Sequence, residues 1–178
     1  MSLHVALLRG LNVGGANALP MADLRALCAG LGWREVQSHL ASGNLVFEAE
    51  GGRGALADAL REALAERGLD VPVLVLPPAR IRRAVAACPF APAAPKLVHA
   101  CFAFGPLRLD RALFERFAAP GDEVAAEEHL LWLHTPGGFG RSKLAPRLEA
   151  IGGAPLTARN LSSLGKLIEL LDAGEETR

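Results

Sequence analysis

The sequence predicts an α+β protein: two ferredoxin-like (βαββαβ) halves and a C-terminal helix. Three observations predict it. Short aliphatic runs alternate with segments whose apolar residues recur every three to four positions, the marks of buried strands and amphipathic helices. The order strand, helix, strand, strand, helix, strand occurs twice within 178 residues, on either side of a proline-rich stretch. With 51% of residues hydrophobic, a chain of this length buries about 70% of its unfolded surface, which argues against disorder. Each half must then place its helices on one face of its sheet.

Residues 1–76 form the first half. Leu3 to Leu8 is an aliphatic strand that runs into Arg9-Gly10-Leu11-Asn12-Val13-Gly14-Gly15, too glycine-rich for regular structure. Pro20 suits a first helical turn, and Met21, Leu24, Leu27, Cys28 and Leu31 continue at helical spacing to Gly32. Trp33 to Leu40 and Leu45 to Glu48 read as a hairpin around Ala41-Ser42-Gly43-Asn44, with the Gly-Asn pair supplying the positive φ angles. Leu56, Leu60 and Leu64 mark a second helix closed by Gly68, and Val71 to Leu76 another strand.

Residues 77–96 hold Pro77, Pro78, Pro89, Pro92 and Pro95 around a short helix, Ala79 to Cys88, and are expected to be a linker. The second half, 97–178, repeats the order without shared sequence. Val98 to Phe104 is a strand, Asp110 caps a helix through Phe117, and Glu123 to Ala126 pairs with Leu130 to His134. Arg141 to Ala150 is expected to be helical despite Pro146. Pro155 to Ala158 is a last strand, and Asn160 caps a helix with an apolar stripe from Leu161 to Leu171. The tail Gly174 to Arg178 is expected to fray.

Nineteen basic residues balance nineteen acidic ones, at a pI of about 7.0. That balance argues against a protein that coats nucleic acid or an anionic membrane. Cys28, Cys88 and Cys101 are odd in number and lack C-x-x-C spacing, so neither a disulfide framework nor a zinc ribbon is indicated, and all three read as core. His4, His39, His99, His129 and His134 are dispersed, which leaves no metal site. The leading apolar run is too short for a signal peptide and no run approaches a membrane span. A cytoplasmic location follows as the expectation, with no cofactor and no oligomeric state indicated.

The strongest chemical signal is Thr157-Ala158-Arg159-Asn160-Leu161-Ser162-Ser163-Leu164-Gly165-Lys166, a strand turning into a helix. Free N–H groups and the positive helix end favour an anion, with Ser162, Ser163, Lys166 and Arg159 at its mouth. Simple helix capping explains the asparagine and the serines but not the two cations. Ser163-x-x-Lys166 has the spacing of a serine nucleophile and lysine base, yet no S-D-N or K-T-G partner accompanies it. Arg9 to Asn17 is neither G-x-x-x-x-G-K-[ST] nor G-x-G-x-x-G, and Ser42-Gly43-Asn44 alone reads as a turn. A fourth, weaker signal is Gly137-Gly138-Phe139-Gly140 followed by Arg141-Ser142-Lys143, a glycine-rich loop that delivers two cations.

Leu8 to Gly15, Ser42 to Phe47 and Thr157 to Leu167, in this order and spacing, resemble the bacterial family known as domain of unknown function 1697. The resemblance implies a small α+β protein and no established activity. It also departs at two positions: the family has a tryptophan where this chain has Leu161, and a threonine where it has Ser163. The matching motifs single out Arg9, Asn12, Asn17, Ser42, Asn44, Thr157, Arg159, Asn160, Ser163 and Lys166. This set contains no carboxylate, histidine or cysteine, so it suits anion recognition better than acid-base or Mg²⁺ chemistry. The expectation is therefore a cleft binding a phosphorylated small molecule or a nucleotide. The rivals are an enzyme acting on a phosphorylated substrate and a single-stranded nucleic-acid binder stacking bases on Phe102 and Phe104.

Overall fold

The computed structural model of the chain describes residues 1–90 and 94–176. Its contacts define two compact units, Met1–Arg82 with Lys166–Arg178, and Arg83–Gly165.

In the first unit β1 (Ser2–Leu8), α1 (Met21–Gly30), β2 (Arg34–His39), β3 (Asn44–Ala49), α2 (Arg53–Ala65) and β4 (Val73–Leu76) follow the expected order. The strands form a four-stranded sheet in the order β2-β3-β1-β4, each neighbouring pair antiparallel. One face carries Ala6, Leu8, Leu45, Phe47 and Ala49 against Leu24 and Cys28 of α1 and Leu56, Leu60 and Leu64 of α2. Trp33 stacks on Phe47 with ring centroids 3.9 Å apart. Each leucine or phenylalanine among them contributes about 1.5–3 kcal/mol on burial. The opposite face, with Leu3, Val5, Leu7 and Val46, is also buried, which is why β1 reads as a continuous apolar run rather than an alternating one.

The second unit repeats the pattern with β5 (Val98–Ala103), α4 (Arg111–Phe117), β6 (Glu123–Glu127), β7 (Leu130–His134), α5 (Leu148–Gly152) and β8 (Leu156–Asn160). Its sheet order is β6-β7-β5-β8, again antiparallel throughout. Cys101, Ala103, Leu131, Leu133 and Leu156 pack with Phe114 of α4 and Leu148 and Ile151 of α5. Asp110 caps α4 as expected, its Oδ1 accepting from Leu113 N–H at 2.9 Å.

Several expectations change. The short helix expected within 77–96 is present as α3 (Pro78–Ala86), and what differs is that its Ile81 and Ala84 are fully buried; Pro92 lies outside the described residues. The last helix, α6 (Leu161–Glu176), continues through Gly174, where fraying was expected; residues 177 and 178 lie outside the described residues. From Lys166 onward it belongs by contact with the first unit, not with the second half. Arg82 of α3 reaches Asp172 at 2.6 Å and Glu175 at 3.1 Å. The helix expected over Arg141 to Ala150 is broken into 3-10 turns, Phe139–Arg141 and Ala145–Arg147, before the short α5. Pro146 has no N–H to give a continuous helix and crowds the preceding turn. Among the described residues no helix is long and apolar enough to cross a membrane.

Candidate functional site

The first two motifs meet at one end of the first sheet. Leu7 of β1 pairs with Asn44 of β3, Leu8 N–H donates to Gly43 O (2.9 Å), and Arg9 N–H donates to Pro72 O (3.0 Å). The loop after β1 spans the whole sheet end through its asparagines. Asn12 Nδ2 donates to the carbonyls of Leu19 and Ala41, both at 2.8 Å, while its Oδ1 accepts from Leu19 N–H at 2.7 Å. Asn17 Nδ2 donates to Asp70 O (3.2 Å) and Gly10 O (3.5 Å). Asn12 and Asn17 have φ of 54° and 50°, a conformation asparagine tolerates better than most residues. Their amides therefore fix the shape of the loop.

The hairpin differs from its sequence reading in one respect. Positive φ falls at Leu40 (61°) and Gly43 (79°), while Asn44 is the first residue of β3 and fully buried. Its Nδ2 donates to His39 O at 2.7 Å and to Ser42 Oγ at 3.2 Å, so it closes the turn from inside the strand. Gly43 is required twice over, by its φ and by Leu8, whose Cβ would stand 2.8 Å from an added Cβ.

In the second unit β8 runs two residues further than expected, through Asn160. Thr157 and Arg159 lie opposite Phe102 and Ala100 of β5, on the face away from α4 and α5. Both are buried. Arg159 Nη1 donates to Thr157 Oγ1 (2.7 Å) and to Ala158 O (2.8 Å), and burial lowers its pKa to about 10. At neutral pH the guanidinium is still charged. Asn160 performs the expected cap, its Oδ1 accepting from Ser163 N–H at 2.8 Å. Lys166, one turn along α6, is exposed and donates to Glu169 at 2.6 Å, a surface pair of little energetic weight.

The glycine-rich loop after β7 leaves the same end of the second sheet as α6 does, since His134 pairs with Val98 and Asn160 with His99. Phe139 stacks on His99 with centroids 4.0 Å apart. His99 is buried and its pKa is lowered to about 4 by desolvation. The dispersed histidines and an isolated Phe139 give no sign of this stack in the sequence; the Gly-Gly-Phe-Gly run is the signal available. Of the two phenylalanines expected to stack bases, Phe102 is buried and offers no platform. Cys28 and Cys101 are core thiols whose pKa burial raises to about 12, whereas Cys88 is only half-buried.

The family model described as protein of unknown function (DUF1697) matches residues 1–132. The chain belongs to this family. The matched region holds the first two DUF1697 motifs and stops short of the third. The conserved bacterial protein SP0830 from Streptococcus pneumoniae has a similar fold, with a TM-score of 0.65 and 22% identity over 96% of this chain and 98% of that one. No relative was found among curated proteins.

Proposed function

We propose that each unit of this DUF1697 member is a ferredoxin-like half and that the chain binds a phosphorylated small molecule or a nucleotide at the end of β8. The order β4-β1-β3-β2 in the first unit, repeated as β8-β5-β7-β6 in the second, supports the fold reading. The observation that carries the binding reading is Arg159, a buried guanidinium that remains protonated at neutral pH and whose fork is oriented by Thr157 and the Ala158 carbonyl. A pre-oriented guanidinium matches the bidentate geometry of a phosphate. Asn160 follows Arg159 directly and caps the first turn of α6 at Ser163. The Asn12, Asn17 and Asn44 amides act as scaffolding at the end of the first sheet, where Arg9 and Ser42 also stand.

The test is thermal denaturation of the wild type, Arg159→Lys and Lys166→Ala against nucleotides and sugar phosphates. A ligand at 100 times its dissociation constant stabilises by about 2.7 kcal/mol, a clear rise in Tm. The expected result is a phosphorylated compound that stabilises the wild type and loses its effect in Arg159→Lys, which keeps the charge but not the fork. A panel without stabilisation, or one in which no hit loses its effect in Arg159→Lys, refutes the proposal.

A further inference from the structure

The second unit holds a cleft of about 440 Å³ between the C-terminal end of α4 and the glycine-rich loop after β7. Apolar Phe117 and Pro120 and cationic Arg141 and Lys143 are among the residues that line it. Its volume lies in the range that encloses a small organic ligand.

Cations outnumber carboxylates around it. Arg147 lies over the Phe117 ring, 3.9 Å from its centroid, and Arg116 lies 5.4 Å from the same centroid. Arg116, Arg141, Lys143 and Arg147 thus gather near one cleft, and none of them forms an ion pair among the described residues. The one carboxylate lining the cleft, Asp122, keeps its charge, with one oxygen held by Ala119 N–H at 2.8 Å, so the two lining cations outnumber it. Thr135 also lines the cleft; it is buried, and its hydroxyl has no hydrogen-bond partner among the described residues. A buried hydroxyl without a protein partner is one that a bound ligand or water completes.

The loop itself is open. Gly137 and Gly140 have no neighbour within 4 Å of an added Cβ and no positive φ, so neither packing nor backbone conformation demands glycine there, unlike Gly138 at φ 97°. Bare backbone at a cationic rim allows close approach of a ligand.

We infer that this cleft is a second binding site, for an organic phosphate monoester whose apolar, ring-sized body lies against Phe117 and Pro120 while its phosphate is held by Arg141 and Lys143. A dianionic head suits a pair of cations, and an apolar body suits Phe117 and Pro120. The site is independent of Arg159, which projects from the face of the sheet away from α4 and α5.

The test is an amide NMR titration of the whole chain with 1-naphthyl phosphate, phenyl phosphate and hexyl phosphate, beside inorganic phosphate and 1-naphthol. At least one ester should saturate, with shifts centred on residues 117–122 and 135–143, and bind more tightly than inorganic phosphate or naphthol. Arg141→Gln with Lys143→Gln replaces two exposed side chains, so Tm should hold while affinity for the ester falls about tenfold or more. Arg159→Lys should leave this titration unchanged, which separates it from the site proposed at β8. The inference is overturned if no ester saturates, if no shifts appear at residues 117–122 and 135–143, if inorganic phosphate binds there as well, or if the double variant binds there as tightly as the wild type.

Discussion

At the scale of single residues, the asparagines and histidines carry the least expected roles. Asn12 looked like a ligand-orienting donor, yet both ends of its amide are engaged by backbone groups of Leu19 and Ala41. His99 makes a definite prediction about pH. Its folded pKa of about 4 lies below the ordinary 6.5, because burial disfavours the charged ring. The unfolded chain therefore takes up a proton between pH 6.5 and 4 that the folded one refuses. Stability is full above pH 6.5 and falls as pH drops toward 4, by roughly 3 kcal/mol from this group. His4, whose pKa burial also lowers, acts in the same direction. Urea unfolding at pH 7 and pH 4.5 should show the loss, and His99→Gln should reduce it; an equal loss in the variant would assign it to other groups.

At the scale of elements, the turn between β2 and β3 decides how the end of the first sheet is built. Gly43 lets β1 come close enough for Leu8 N–H to reach its carbonyl. Gly43→Ala must strain a φ of 79° and push an added methyl against Leu8 Cβ at 2.8 Å, a combination expected to destabilise by about 2 kcal/mol or more. Gly10, with φ 76° and open space around it, is the control, since Gly10→Ala meets only the backbone strain of about 1–2 kcal/mol. Chemical denaturation of both variants separates the terms; equal losses would mean that Leu8 yields freely. The broken helix before β8 teaches a related lesson. Pro146 interrupts it, and the residues before Leu144 are released into the loop that lines the cleft.

At the scale of the whole molecule, the last helix belongs to the first unit as much as to the strand that leads into it. Leu167 and Leu171 are fully buried, Gly174 comes within 3.6 Å of Leu3 by an added Cβ, and Asp172 and Glu175 engage Arg82. A chain ending at Gly165 loses the burial of at least these two leucines, about 1.5–3 kcal/mol each, against a total stability of about 5–15 kcal/mol. Such a truncation should melt well below the full chain and bind a hydrophobic dye; an unchanged Tm would show that the first unit is complete without it. Charge also has meaning only at this scale: a formal net charge of zero coexists with four cations near one cleft that form no ion pair among the described residues.

The sequence by itself determined the order of strands and helices, because the spacing of apolar residues is a local record of which face is buried. It also determined the α4 and α6 caps at Asp110 and Asn160, and the family, through motifs short enough to be read without knowing what they touch. Tertiary structure alone decided the rest. Whether a donor is free or spent depends on its neighbours, and the acceptors of Asn12 and Asn17 lie 29 and 53 positions away at Ala41 and Asp70. Likewise, Arg141 and Lys143 became a candidate site only when the chain brought Phe117 and Pro120 to the same cleft. A side chain's chemistry is local, whereas its burial and its partners are set by distant parts of the chain.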